Sequence, residues 1–361
     1  MRSIPIARPL TGEEEIEAVT EVLRSGMLAQ GPVVRRFEEE FSASCGAPYA
    51  VATNNGTSAL HTALLSAGIG PGDEVIVPTF TFFATASAVS MCGATPVFAD
   101  VEASTFNLDP ESAASLITPR TRAILGVHLF GQTFDVDRCQ KLCNDHDLLL
   151  LEDAAQAHGA TWKGIPAGSL GDLACFSFYA TKNMITGEGG MITTASGELD
   201  GQIRQLINHG QKDKYLHVRL GYNYRMTDLA AAIGLVQLNR LEQMNAARKR
   251  NAAQLDRALQ GLPLILPTVR KEATHVYHQY VVRVPSQDRD RFIQALRERG
   301  ISTAVHYPRC LHEQPYYRDT GYDGSCPVGE RLAREVVSLP VHPALSLEEL
   351  QYLCTTVPEV I

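Results

Sequence analysis

YAVATNNGTSALHTALLSAG (residues 49–68), EVIVPTFTFFATASAVSMCG (74–93) and LLLLEDAAQAHGA (148–160) decide the fold. Each begins with a short apolar run, and the first two pass directly into a helical pattern. TPVFADV (95–101) likewise leads into PESAASLI (110–117), and RAILGVHLFG (122–131) into VDRCQKLCNDHD (136–147). The runs are nearly continuous in apolar residues, as expected of strands in a parallel sheet covered by helices on both faces. Strands and helices alternating in this way predict an α/β domain of three layers, α/β/α.

Beyond Asp153 the rhythm changes. ACFSFYA (174–180) and GGMITTA (189–195) read as two strands joined by the polar stretch TKNMITGEG (181–189). A long helical pattern starts near Thr227, whose hydroxyl suits an N-cap. HVYHQYVVRV (275–284) then reads as a strand, RDRFIQALRERG (289–300) as a helix closed by Gly300, and ISTAVHYP (301–308) as a further strand. A chain of 361 residues is long for one hydrophobic core. The expected division is a large domain over 1–245, with the N-terminal segment, and a smaller C-terminal α+β domain over 246–361.

The formal net charge of −8 argues against a nucleic-acid binder, which would carry a basic face. No apolar run approaches the roughly 18 residues of a membrane span. The opening MRSIPIARPLTGEEEIEAV has no apolar core of a secretory signal, so a cytoplasmic protein is expected. The eight cysteines are scattered, and several lie in apolar stretches as small hydrophobes would. Cys139 and Cys143 share a probable helix face, but no second ligand pair at zinc-site spacing accompanies them, so no metal is expected.

Four features carry possible chemistry. In NNGTSALHTALLSAG (54–68) a strand ends, Gly56 turns the chain, and Thr57 and Ser58 open a helix whose free amides suit an anion. An ordinary capped helix reads the same way. Asp153 ends an apolar strand, where open α/β sheets place ligand contacts. It could pair with a protonated ring nitrogen, bind magnesium or cap a helix. Lys182 lies in a polar turn with Glu188 as its one nearby carboxylate in sequence. It is either a solvated lysine or, partly desolvated, a nucleophile and proton carrier. Ser177 on the preceding strand could donate to a phosphate. Among Phe80, Phe82 and Phe83, one could stack on an aromatic cofactor, unless all three are core.

Taken together, GPVVRRFEEEF (31–41), NGTSAL (55–60), LEDAAQAHGA, SFYATKNMITGEGG, GYNYRMTD (221–228) and VHYP…LHEQPYY resemble, in the same order, a fold-type I aminotransferase of the DegT/DnrJ/StrS family. That resemblance spans essentially the whole chain. It implies a pyridoxal 5′-phosphate enzyme that transfers an amino group to a keto-sugar. Lys182 matches the lysine that carries the cofactor as a Schiff base, and Asp153 the carboxylate on its pyridine nitrogen. Gln156 matches the residue beside the phenolic oxygen, and Phe82 the stacked aromatic. Gly56, Thr57, Ser58 and Ser177 match the phosphate cradle. Asn223 matches an asparagine that reaches the neighbouring subunit's cofactor, which implies a homodimer with shared active sites. His306 and Tyr307 match the sugar-nucleotide wall, where this chain departs from the family in having Cys310 in place of proline.

The implied reaction takes the amine from L-glutamate and gives it to a keto-sugar nucleotide, by ping-pong kinetics. GYNYRMTD and TGEGG lean towards relatives acting on a 4-keto-6-deoxy sugar. An aminocyclitol enzyme using a keto-inositol and L-glutamine is the near alternative. Sugar dehydratases of the family carry histidine where this chain has Lys182. A non-catalytic regulatory relative would be expected to lose Lys182, Asp153 or the cradle, and all are present.

Overall fold

The structure, a computed structural model, describes residues 3–285 and 287–361. Its centre is a seven-stranded sheet in the order Tyr49–Thr53, Gly190–Thr194, Leu173–Ser177, Leu149–Asp153, Thr121–Val127, Glu74–Pro78, Thr95–Ala99. Side chains of a strand alternate between faces, and here they sort into two cores. Ala50, Ala52, Ile76, Leu150, Ala174 and Phe176 enter one, with Phe37, Phe41 and Cys139. Val51, Val75, Val77, Leu151, Leu173 and Cys175 enter the other, with Leu64 and Val89. Both faces are dry, which is why Glu74–Pro78 is buried at every position and its sequence lacks alternation. The three-layer α/β/α reading of the sequence describes this arrangement.

The sheet is not wholly parallel. Gly190–Thr194 runs antiparallel to both its neighbours, Tyr49–Thr53 and Leu173–Ser177. The stretch 178–189 before it holds no helix, and a parallel return would need a crossover over one face. The chain therefore folds straight back, and the polar turn carrying Lys182 is left at the sheet's edge of strand ends. Asp153 and Ser177 finish neighbouring strands on the same edge, with Cys175 and Val127 beside Asp153 in register.

A third core gathers Leu255, Leu259, Tyr280, Val282, Phe292, Leu296, Val337, Leu339 and Leu353. Its small sheet pairs Tyr280–Arg283 antiparallel with Val336–Leu339. Ile4, from the opposite end of the chain, is buried in this core too. The helix Asp228–Leu259 links two of the cores without a break: Ala231, Leu235 and Met244 pack with Phe37 and Phe41, Ala252 and Leu255 with Tyr280 and Phe292. Thr227 caps it, its hydroxyl accepting the Ala230 amide at 3.2 Å. The strand expected over 301–308 reduces to two bridges, Ile4 with Ile301 and Ala304 with Ser338. Past Ala304 the chain turns off the small sheet and brings Tyr307 to Gln156, just beyond the central strand Leu149–Asp153.

Candidate active site

A cavity of about 640 Å³ opens at the edge where Asp153 and Ser177 end their strands. Gly56, Thr57, Ser58, Phe82, Asp153, Gln156, Ser177, Lys182, His306 and Tyr307 all line it. Residues separated by up to 251 positions in sequence (56 to 307) thus share one wall.

The floor at one end is the start of the helix Gly56–Ser66. Asn55 caps it, its side-chain oxygen accepting the Ser58 amide at 2.8 Å. The other first-turn amides have no helical acceptor and carry the positive end of the helix dipole. Glycine is needed at 56, because a Cβ there would stand 2.7 Å from the Ser177 Cβ. The two segments therefore approach closely and present Thr57, Ser58 and Ser177 to the same end of the cavity.

Asp153 is 5% exposed. One carboxylate oxygen accepts the Thr85 hydroxyl at 2.8 Å, the other the Ala155 amide at 3.2 Å. Burial pushes its pKa up, while Thr85, the Ala155 amide, Lys182 and His128 pull the other way. Glu152, one residue earlier, faces the opposite side of the sheet. There it accepts His128 Nε2 (2.8 Å) and the amides of Gly168, Leu170 and Gly171. This buried knot fixes the strand whose last side chain enters the cavity.

Lys182 is half-buried. Its backbone is set by its own amide to the Tyr179 carbonyl (2.9 Å) and by the Phe178–Gly189 and Thr186–Phe178 bonds around it. Gly187, at φ 85°, makes the return possible. Burial lowers the amine's pKa to about 8, and Asp153 acts against that by favouring the ammonium. The opposing charge is Asp153 across the cavity rather than Glu188, the neighbour in sequence.

The far wall comes from His278, Gln279, His306 and Tyr307. Gln156 ties it down: its oxygen accepts the Phe130 amide at 2.6 Å, and its nitrogen donates to the Tyr307 hydroxyl at 3.1 Å. His306 Nδ1 lies 3.1 Å from the Ser338 hydroxyl, and burial, then Lys182, holds its pKa down. The three phenylalanines separate cleanly. Phe80 is buried in a core with Phe106 and Phe130, Phe83 packs on Tyr317 at 5.6 Å, and Phe82 alone faces the cavity. Cys310 is buried beside Phe80 and Leu332 and does not line the cavity, so the departure from proline falls in the core. Asn223 is exposed and lies outside its own chain's cavity.

Sequence reasoning did not single out Thr85, His278 or Gln279. Thr85 meets Asp153 from 68 residues away, and His278 lies in a stretch that reads simply as a strand. No local pattern marks either contact.

The DegT/DnrJ/EryC1/StrS aminotransferase family profile matches residues 9–358. GDP-perosamine synthase of Caulobacter vibrioides is 40% identical over 99% of this chain and 98% of its own length. UDP-2-acetamido-2-deoxy-3-oxo-D-glucuronate aminotransferase of Pseudomonas aeruginosa is 39% identical over 95% of each. Among solved structures, S. venezuelae DesV in complex with a ketimine intermediate superposes with a TM-score of 0.94, at 39% identity and over 99% of this chain and 98% of that one. The chain belongs to the DegT/DnrJ/EryC1/StrS aminotransferase family, whose members work through pyridoxal phosphate.

Proposed function

We propose that this aminotransferase moves an amino group from L-glutamate to a keto-sugar nucleotide, with a 4-keto-6-deoxy sugar as the favoured acceptor, in two half-reactions at one cavity. The observation that carries the reading is a desolvated Lys182 facing the charge of Asp153 in a cavity also lined by the first turn of a helix, at Gly56, Thr57 and Ser58, and by Ser177.

The residues fit pyridoxal phosphate. The cradle of Gly56, Thr57, Ser58 and Ser177 would hold the phosphate, Phe82 would cover a ring face, and Gln156 would lie beside the phenolic oxygen. When bound, the group supplies an aldehyde for amines and a ring that takes up the electron pair of a broken C–H bond. Asp153, kept in place by Thr85, would hold the proton of the ring nitrogen. Lys182 Nζ takes the proton from the α-carbon of the amino donor and returns one to the acceptor carbon, as base and then acid. Tyr307 and Gln156 close the wall and keep bulk water from the reacting atoms.

A pH prediction follows from Lys182. The amine must lose its proton to attack an aldehyde, and its pKa is about 8. Capture of added pyridoxal phosphate by the cofactor-free protein should therefore quicken as pH rises through about 8 and then level off. An ordinary lysine would keep accelerating towards its usual pKa of about 10.4, and that result would contradict the assignment.

Relatives of nearly equal identity carry names of different sugar nucleotides, so the acceptor is a matter for a panel. The enzyme is converted by L-glutamate to its amine-bearing form and then offered UDP- and GDP-linked keto-sugars with the carbonyl at carbon 3 or 4, and a keto-inositol. Return of the cofactor's original absorbance with a 4-keto-6-deoxy sugar supports the proposal. Return with keto-inositol alone, or conversion by L-glutamine but not L-glutamate, contradicts it.

We also propose a homodimer in which Asn223 serves the partner's site. Asn223 is exposed beside an arm, 211–220, whose Tyr215, Leu216, Val218 and Leu220 are exposed apolar side chains. Burying them between subunits removes apolar area from water. A fully active monomer in analytical ultracentrifugation contradicts the shared site.

A further inference from the structure

His278 has a fixed tautomer, and the hydrogen bonds behind it show which. The Asn245 side-chain nitrogen donates to the His158 carbonyl at 2.8 Å. A carbonyl only accepts, so the Asn245 oxygen is turned to Asn183. The Asn183 nitrogen donates to that oxygen at 2.8 Å and to the Val276 carbonyl at 3.2 Å. The Asn183 oxygen is left for His278, 3.1 Å from Nδ1. Nδ1 must therefore carry the hydrogen. Arg248 holds the backbone of the same segment, donating to the carbonyls of Tyr277 and His278.

The ring stays neutral, because burial, then the cations Lys182 and Arg248, hold its pKa well below the usual histidine value. In a neutral imidazole with hydrogen on Nδ1, Nε2 is a bare acceptor. His61, His158 and His342 each have a sealed ring nitrogen without a partner, whereas His278 has none. His278 lines the cavity, and with Nδ1 turned to Asn183 its Nε2, neither sealed nor bonded among the described residues, is the ring nitrogen left to face it.

We propose that His278 Nε2 accepts a hydrogen bond from a hydroxyl of the sugar acceptor and so selects acceptors by the hydroxyl they present. Among the two substrates the chemistry matches one. Glutamate's amino group goes to the reacting centre, which leaves two carboxylates, acceptors that would meet the Nε2 lone pair with repulsion. A sugar brings hydroxyl donors. Asn183 and Asn245 are positioning residues that act through His278. The inference rests on the proposed function and deepens it.

The test separates the half-reactions in wild type, His278→Phe and His278→Gln, each loaded with pyridoxal phosphate and followed by absorbance. The sugar probe is the fastest acceptor in the panel above, together with its analogues in which single hydroxyls are replaced by hydrogen. In His278→Phe, kcat/KM for the sugar half should fall roughly tenfold, the worth of one lost hydrogen bond. The glutamate half should not fall in parallel. His278→Gln, which can return an acceptor to the same place, should recover part of the loss. One deoxy analogue should lose a similar factor with wild type and nothing more with His278→Phe. Equal slowing of both halves would assign the contact to Lys182 and overturn the proposal, as would a sugar half unchanged in the Phe variant. If His278→Phe does not fold, wild type with the deoxy analogues decides: no analogue discriminated overturns it. A panel in which wild type uses no keto-sugar overturns the function and this inference together.

Discussion

Lys182→Ala should lose amine transfer by roughly four orders of magnitude, the upper end of what a positioned general acid–base contributes. The expectation comes from how the side chain is placed. Its pKa is brought to about 8, within reach of neutral operation, by burial and against the pull of Asp153. A group so tuned can both take and return a proton, whereas an ordinary lysine is too firmly protonated to act as a base. The fold should survive, because the loop is held by backbone bonds, Lys182 to Tyr179 and Phe178 to Gly189, that alanine leaves in place. Removing a desolvated ammonium also removes a cost of burial rather than a support. Steady-state transfer to the panel's best acceptor, with circular dichroism on the same sample, measures both. Small primary amines added to the variant should restore some turnover, since they supply the missing base. Activity within a few-fold of wild type would remove Lys182 from the mechanism.

Asp153→Asn should cost roughly a hundred- to a thousandfold in turnover, the range for losing one preorganised electrostatic partner at a reacting centre. The substitution is nearly isosteric, and its carbonyl oxygen can still accept from Thr85 or the Ala155 amide. Packing is thus kept while the negative charge is lost. Without that charge a bound ring nitrogen is no longer held protonated, and the electron pair released on proton removal has nowhere favourable to go. Loss of the charge also removes the one influence that raises the Lys182 pKa. The pH midpoint for capture of pyridoxal phosphate should therefore move down, not up. A variant with turnover close to wild type, or a midpoint that rises, would contradict the role given to Asp153.

Much of this was legible in the chain, for identifiable reasons. Strands buried on both faces show as unbroken apolar runs, so Glu74–Pro78 and Leu149–Asp153 could be read directly, and with them the three layers. Gly56, Ser177 and Lys182 stand in short stretches at strand ends, where the edge of an α/β sheet gathers ligands. What stayed hidden depended on long-range packing. The reversal of Gly190–Thr194 follows from a missing crossover helix, which no residue announces. The stretch with the bridges at Ile301 and Ala304 looks like a strand because Ile301, Thr303 and Val305 are β-branched, but the chain leaves the sheet to deliver Tyr307. Thr85 and His278 owe their importance to partners far off in sequence, and neither carries a local signature.

The central claim is that Lys182 is where the cofactor is anchored. Protein loaded with pyridoxal phosphate, reduced with borohydride and digested, gives the attachment site by peptide mass spectrometry. The cofactor's mass should appear on the peptide containing Lys182 and on no peptide of Lys182→Ala. A reduced adduct on another lysine, or none in the wild-type protein, would contradict the account.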